Sequence, residues 1–167
     1  MNIYIGADHR GFTVKKSLVK WLEEKGHRVT DCGNTVHDPK DDYPDFAGSV
    51  AEKLQQDPAG RGIVFCGSGV GVCIAANKHA GVYCGFAITP EQVRAGTADD
   101  MINCIAVSVD AFSEKDIRDM VSSYLETPHS TEERHVRRHH KVRQIEESST
   151  SSEGCCGGCG GGGGCSH

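Results

Sequence analysis

Short apolar runs alternate with amphipathic segments along most of this chain. Five of the runs are rich in isoleucine, valine, alanine and cysteine, a composition typical of short buried β-strands. The predicted strands are residues 2–7, 28–31, 62–66, 82–87 and 104–109. The intervening segments carry apolar residues at helical spacing, and in the first of them Val14, Leu18, Trp21 and Leu22 share one face.

Helix start signals strengthen this interpretation. Thr89 followed by Pro90 and Glu91 combines a capping residue, a first-turn proline and an acid. Ser113 with Asp116 resembles a capping box. The predicted helices are residues 13–25, 45–55, 70–78, a segment beginning at Pro90, a segment following Ser113, and residues 131–147.

Strands that alternate with helices predict an α/β fold. Parallel pairing with right-handed crossovers gives a three-layer, Rossmann-like architecture: a five-stranded parallel sheet flanked by helices, here with an additional C-terminal helix. Such sheets bind ligands beyond the carboxyl ends of their strands, near a switch in strand order. Asp8 and His9 follow the first strand and Cys66 ends the third, so we expect these distant residues to meet at one edge.

The composition changes abruptly near Ser148. Residues 1–147 can form one domain, whereas residues 148–167 are almost entirely serine, glycine and cysteine and are predicted to be a disordered tail. A soft metal such as zinc is one hypothesis for the cysteine cluster in this tail, and a low-complexity extension is the favoured one. The cluster consists of Cys155, Cys156, Cys159 and Cys165, with His167 nearby.

Charge and cysteine usage narrow the class of protein. A formal net charge of −5 argues against a general nucleic-acid binder, and no apolar run approaches the ~20 residues that a membrane span needs. Five cysteines are scattered among the apolar segments without a disulfide pattern, which favours a reducing compartment and a cytoplasmic protein. They are Cys32, Cys66, Cys73, Cys84 and Cys104.

The run from Cys66 to Gly71, Cys-Gly-Ser-Gly-Val-Gly, carries the strongest chemical signal. Alternating glycines let the backbone approach a ligand closely, and free amides at a helix start attract anions. The spacing is not that of a dinucleotide-binding loop, a P-loop or a nucleophile elbow. A thiol beside such a turn predicts an enzyme that acts on a small anionic substrate.

Each candidate residue also has a structural explanation. Cys66 is either a buried core thiol or a base that abstracts a proton near neutrality. Ser68 is either a helix cap or a proton shuttle, Asp8 and His9 are a polar loop pair or a binding pair, and Asp45 is a candidate N-cap.

A basic stripe marks the last predicted helix. Arg134 and Arg138 lie on one face of it with Arg137. Such a stripe is usually solvated charge, but guanidinium groups are also the natural clamp for a phosphate.

Together these segments resemble the type B ribose-5-phosphate isomerases, within the family that includes galactose-6-phosphate and allose-6-phosphate isomerases. The resemblance covers about residues 1–147. The matching motifs are Gly6-Ala7-Asp8-His9-Arg10-Gly11-Phe12, Asp42-Tyr43-Pro44-Asp45, Cys66-Gly67-Ser68-Gly69-Val70-Gly71, Ile74-Ala75-Ala76-Asn77-Lys78 and Arg134-His135-Val136-Arg137-Arg138.

The resemblance implies an aldose–ketose isomerase that needs neither metal nor cofactor. By analogy, Cys66 moves a proton between C2 and C1 of the open-chain sugar and Ser68 helps to move the hydroxyl proton. The amides of Gly67, Ser68, Gly69, Val70, Gly71 and Val72 stabilise the enediolate.

The remaining roles also follow from the family. Asp8, His9 and Tyr43 position the sugar, and Arg134 and Arg138 hold the phosphate. Family members resemble one another in forming homodimers with interface active sites, so a partner chain is expected to supply the arginines.

Two departures from the family pattern stand out. Asp99 and Asp100 occupy the places of a His-Asn pair whose histidine opens the sugar ring, and Asp110 stands where many relatives have a phosphate-contacting arginine. We hypothesise that Asp99 replaces the ring-opening histidine and that the C-terminal arginines Arg134 and Arg138 hold the phosphate unaided. The alternative is that ring opening is spontaneous or depends on another group, for which His9 and His135 are candidates. The departures also leave open a hexose 6-phosphate substrate, or sugar-phosphate binding without catalysis.

Overall fold

A five-stranded, fully parallel sheet forms the centre of the computed structural model, which describes residues 1–150. The strands are β1 (Asn2–Ala7), β2 (Arg28–Asp31), β3 (Arg61–Cys66), β4 (Cys84–Phe86) and β5 (Cys104–Ser108). The helices are α1 (Phe12–Glu24), α2 (Tyr43–Gln56), α3 (Val70–Ala76), α4 (Pro90–Asp99), α5 (Glu114–Glu126) and α6 (Glu133–Thr150). The predicted α/β class and parallel sheet are confirmed.

Alternation along the strands builds the three layers. Ile63 and Phe65 of β3 pack on the side of α1, α4 and α5, whereas Val64 and Cys66 pack on the side of α2 and α3. β5 alternates in the same way, with Ile105 pointing to the first side. Because both faces of the sheet are covered, its strands are apolar almost throughout.

The strand order is β2-β1-β3-β5-β4. The chain moves outward in one direction from β1 to β2 and then crosses to β3 on the other side of β1. β1 and β3 therefore flank the point where the order reverses, and a crevice opens there beyond their carboxyl ends. Asp8 and Cys66, which end or follow these two strands, meet at this crevice as expected.

The predicted capping signals are confirmed for α4 and α5. The Thr89 side chain accepts a hydrogen bond from the amide of Gln92, and Ser113 and Asp116 form a complete capping box. The N-cap prediction for Asp45 is wrong. α2 begins two residues earlier, with Asp42 at the N-cap position, because Pro44 suits the first helical turn.

Some boundaries differ for local reasons. β4 is shorter than predicted, since the amide of Tyr83 is bound by the side chain of Asn103 at 2.8 Å rather than by a neighbouring strand. α6 continues to Thr150, three residues past the predicted domain end at 147. The predicted disorder and the cysteine cluster of residues 151–167 lie outside the described residues.

Within residues 1–150, none of the helices combines the length and the apolar character needed to cross a membrane.

Candidate active site

The turn after β3 brings a thiol next to several backbone amides. Cys66 is nearly buried, and its Sγ accepts a hydrogen bond from the amide of Gly69 at 3.1 Å. Ser68 is exposed, and its Oγ accepts a hydrogen bond from the amide of Val70 at 3.3 Å. This last contact caps the turn, yet it leaves the hydroxyl at the surface where a ligand can reach it.

Other amides of the turn point away from protein acceptors. Among residues 1–150, the amides of Ser68, Gly71 and Val72 form no hydrogen bond with the protein. Of these three residues Ser68 is exposed and Gly71 is half-buried, whereas Val72 is fully buried. Donors of this kind are suited to bind oxygen atoms that carry or develop negative charge.

The shape of the turn depends on glycine at two places. Gly69 has φ +74°, and a Cβ there would lie 2.8 Å from the amide nitrogen of Ser108. A Cβ on Gly71 would lie 2.8 Å from the ring of Tyr43. The close approach therefore puts the half-exposed Tyr43 ring directly over the turn.

The segment after β1 borders the same crevice. Asp8 is 5% exposed, and its carboxylate accepts hydrogen bonds from the amides of Arg10 and Gly11 at 3.0 and 3.2 Å. These bonds close the turn before α1, as expected of a polar loop residue, and they do not cap the helix, whose N-cap is Gly11. They also hold the Asp8–Arg10 backbone rigidly beside β3.

His9 is oriented by a carboxylate that lies 32 residues away. One oxygen of Asp41 accepts hydrogen bonds from the His9 amide and from Nδ1 of its ring, both at 2.8 Å. Asp41 is held in turn by the side chain of Asn34 at 2.9 Å, and the backbone carbonyl of Asn34 accepts from the fully buried Lys15 at 2.9 Å. Since Nδ1 must carry a hydrogen, Nε2 is the ring atom left for a ligand.

The hydrogen bond to Asp41 raises the pKa of His9 above its ordinary value, burial opposes this, and the charge of Asp8 adds to the increase. The imidazolium therefore persists to higher pH than in a free histidine. It favours the folded chain below the unfolded pKa near 6.5, and this contribution is lost as the pH rises through the raised value.

Asp8, His9, Tyr43 and residues 66–72 form one group at the carboxyl ends of the strands, here called the carboxyl-edge group. The remaining predicted site residues lie elsewhere. Asp99 ends α4 and Asp100 follows it, just before β5 begins, which places both at the amino ends of the strands. β5 runs from the amino edge to the carboxyl edge of the sheet. Its five residues span about 13 Å, since each step along a strand adds about 3.3 Å.

Arg134 and Arg138 accompany the two aspartates. Arg138 and Asp100 line the same cavity of about 250 Å³, and Arg134 forms an ion pair with Glu132 at 2.8 Å. Asp99, Asp100, Arg134 and Arg138 are here called the amino-edge group. One chain therefore does not bring the two groups together.

Asp99 has an unexpected neighbour. Nδ1 of the nearly buried His135 lies 3.4 Å from the Asp99 carboxylate and 2.9 Å from Oγ of Ser130. The Asp99 carboxylate is thus paired with an imidazole that comes from α6.

Two residues at the carboxyl edge, Asp41 and Arg10, were not predicted from the sequence to belong to the site. Asp41 was one of several aspartates in a polar loop, and nothing in the pattern shows which of them reaches His9. Arg10 stands beside Asp8 and His9 at the strand end, a position that could have marked it. Its guanidinium binds Asp110 through Nη2, at 2.8 and 2.7 Å from the two carboxylate oxygens.

Within residues 1–150, no three histidine, cysteine or acidic side chains are arranged to hold a metal ion. The chemistry available at the carboxyl edge consists of a thiol, a hydroxyl, an oriented imidazole and a set of amides.

Replacement of Asp41 with asparagine is expected to lower the pKa of His9 toward its ordinary value, because the acceptor that stabilises the imidazolium loses its charge. The measurement is an NMR titration of the imidazole C–H resonances. Asp38→Asn, in the same loop but bound only to the amide of Lys40 by its side chain, is the control. An equal His9 pKa in both variants would contradict the assigned pairing.

Comparison with known proteins places this site in a family. The family model described as Ribose/Galactose Isomerase matches residues 3–142. Ribose-5-phosphate isomerase B of Mycobacterium leprae is 35% identical over 138 residues, which is 83% of this chain and 85% of that protein.

Solved structures of type B ribose-5-phosphate isomerases are similar to this chain over most of its length. A Mycoplasma genitalium ribose-5-phosphate isomerase B with bound ribulose-5-phosphate has a TM-score of 0.84 and 35% identity, covering 87% of this chain and 96% of that one. The type B enzyme of Trypanosoma cruzi has a TM-score of 0.84 and 34% identity over 89% of this chain and 99% of that one. This chain belongs to the ribose/galactose isomerase family.

Proposed function

We propose that this protein interconverts ribose 5-phosphate and ribulose 5-phosphate through an enediolate. The observation that carries the proposal is the Cys66 thiol beside the unpaired amides of the glycine turn, at the strand-order switch. Isomerisation of this kind needs a base for one carbon-bound proton and donors for two oxygens, and the carboxyl edge offers both.

Cys66 is the base. Its thiolate removes the proton from C2 of the open-chain aldose, and the same proton or one from solvent is returned to C1. The electron pair of the broken C–H bond moves into the C1–C2 bond, and the negative charge collects on the sugar oxygens. The amides of the exposed Ser68 and the half-buried Gly71 are suited to bind those oxygens, and the Ser68 hydroxyl can carry the proton between O1 and O2.

The sugar hydroxyls bind along the rest of the carboxyl edge. The Tyr43 ring lies over Gly71 and forms a wall of the crevice. His9 presents Nε2, because Asp41 holds Nδ1. Asp8 acts mainly by fixing the backbone on which His9 stands.

A second copy of the chain completes the site. We infer a homodimer in which the amino-edge group of one chain faces the carboxyl-edge group of the other, with Arg134 and Arg138 directed at the phosphate. Val70 and Ile74, 51% and 57% exposed, form an apolar face on α3 next to the turn, and a partner that covers it stands beside Cys66.

Sedimentation equilibrium is expected to give twice the chain mass of 17.9 kDa, whereas a monomer in the presence of substrate would contradict the inference.

Ring opening requires a group that moves protons at O1 and the ring oxygen. Asp99 is the proposed group, and the nearly buried His135 lies 3.4 Å from its carboxylate. Asp99→Asn should lower the initial rate from ribose 5-phosphate, which is cyclic, and spare the rate from ribulose 5-phosphate, which has no ring to open. Equal losses in both directions would transfer the role to another group, His9 first.

The absence of disulfide bonds among residues 1–150 also bears on the cellular compartment of the protein. All five cysteines of residues 1–150 are free, in keeping with a reducing compartment, and we propose the cytoplasm. Residues 1–147 are proposed as the isomerase domain and residues 148–167 as a Ser/Gly/Cys-rich tail outside it.

Turnover of a panel of sugar phosphates tests the function. Ribose 5-phosphate is expected to be converted with a higher kcat/KM than allose 6-phosphate or galactose 6-phosphate, and Cys66→Ala is expected to lower kcat at least 1,000-fold, roughly the scale of losing the proton-transfer group. Cys73→Ala, a half-buried thiol of α3, is the matched control. A better hexose 6-phosphate substrate would revise the sugar, and binding without turnover would leave a sugar-phosphate binder.

A further inference from the structure

An ion pair covers the first residue of the glycine turn. The Arg10 side chain and the Asp110 carboxylate both lie over Gly67: a Cβ built there would be 2.7 Å from Nε of Arg10 and 2.8 Å from Oδ2 of Asp110. The two residues are 100 positions apart. The pair therefore stands at the mouth of the crevice, next to Cys66.

Both partners are anchored to the site. The amide of Arg10 is bound by the buried Asp8 carboxylate at 3.0 Å. The amide of Asp110 donates to the carbonyl of Gly67 at 3.1 Å, and Oγ of Ser108 donates to the same carbonyl at 2.7 Å. The backbones of both residues are thus fixed relative to the turn from two strand ends, and the ion pair joins their side chains over Gly67.

The pair has a position suited to binding rather than to stability. The two side chains are 54% and 49% exposed, and an ion pair this exposed stabilises a fold very little. Only Nη2 of Arg10 binds Asp110, and within residues 1–150 the N–H groups of Nε and Nη1 have no protein acceptor. A guanidinium has five N–H groups, so three remain for a ligand.

The negative charge at the carboxyl edge favours a cation such as the Arg10 guanidinium where an anionic substrate binds. Asp8, Asp41 and Asp110 place three carboxylates around the crevice, and Asp8 and Asp41 are already bound by amides and by His9. An anionic substrate that approached Asp110 alone would be repelled. Arg10 neutralises Asp110, and its Nε lies over Gly67 at the start of the turn.

We propose that Arg10 binds the phosphate group of the substrate and that Asp110 is the positioning residue that holds its guanidinium over Gly67. This inference rests on the proposed isomerase activity. It adds a phosphate ligand from the chain that also supplies Cys66, whereas Arg134 and Arg138 come from the partner chain. The crevice then holds the phosphate between guanidinium groups of two chains.

The test compares Arg10→Gln, Arg10→Lys and Asp110→Asn with the parent. Arg10→Gln is expected to raise KM for ribose 5-phosphate about 10- to 100-fold with a smaller change in kcat, the range that loss of charge-assisted hydrogen bonds produces. Arg10→Lys restores part of the loss. Asp110→Asn is expected to raise KM less, because the guanidinium is no longer held but the cation remains and a nearby negative charge is removed.

A matched control and a second readout separate binding from structure. Arg94→Gln removes an exposed guanidinium of α4 that forms no ion pair within residues 1–150, and it should leave KM unchanged. Inorganic phosphate should inhibit the parent and inhibit Arg10→Gln at least tenfold more weakly, while the melting temperatures of the two stay equal.

A KM for Arg10→Gln within twofold of the parent, or equal effects of Arg10→Gln and Arg94→Gln, would overturn the proposal. If the parent converts no sugar phosphate, the proposed isomerase activity fails instead. Calorimetric titration of inorganic phosphate into the parent and Arg10→Gln then decides on Arg10 alone, because equal affinities would refute its role as a phosphate ligand.

Discussion

The close contact between the glycine turn and the end of β5 is the constraint on which the rest of the site depends. At Gly69 the backbone adopts φ +74° and leaves no room for a side chain between Phe86 and the amide of Ser108. The hydroxyl of Ser108 then ties the turn to β5 through the carbonyl of Gly67. With its backbone fixed in this way, the turn offers a thiol and unpaired amides to the same small volume.

The strand-order switch gives this turn its neighbours. Because β1 lies directly beside β3, the segment after β1 delivers His9 and Arg10 to the turn, and β5 on the other side delivers Asp110. A second layer fixes these groups in place, since Asp41 orients the His9 ring and the buried Lys15 holds the loop that carries Asp41 through Asn34. Parallel strands also impose a limit. A residue at the start of β5 cannot reach a residue at the end of β3 in the same chain, which is the reason we propose a site shared between two copies of the chain.

Local signals predicted most of the fold from the sequence. Apolar runs bounded by polar residues gave all five strands, and the caps at Thr89 and Ser113 gave helix starts that the structure confirms. The prediction of Asp45 as the N-cap of α2 was wrong, because an aspartate that follows a proline fits either the N-cap position or the first helical turn. The fold class was enough to predict that Asp8 and Cys66 meet at one edge of the sheet, but specific side-chain pairs between distant residues could not be predicted. No pattern indicates that Asp41 binds His9, that Asp110 binds Arg10 or that Asp99 lies against His135, since each pair depends on how the strands are ordered.

Mixing two inactive variants is the most direct test of a site shared between two chains. Cys66→Ala disables the carboxyl edge, and Arg134→Gln combined with Arg138→Gln disables the amino edge. In a dimer with shared sites, each mixed pair contains one intact site and one doubly impaired site, so co-refolding equal amounts should restore about a quarter of the parent activity. If all the groups acted within one chain, every site in the mixture would carry a defect. Activity that stays at the level of the separate variants would therefore contradict the shared site.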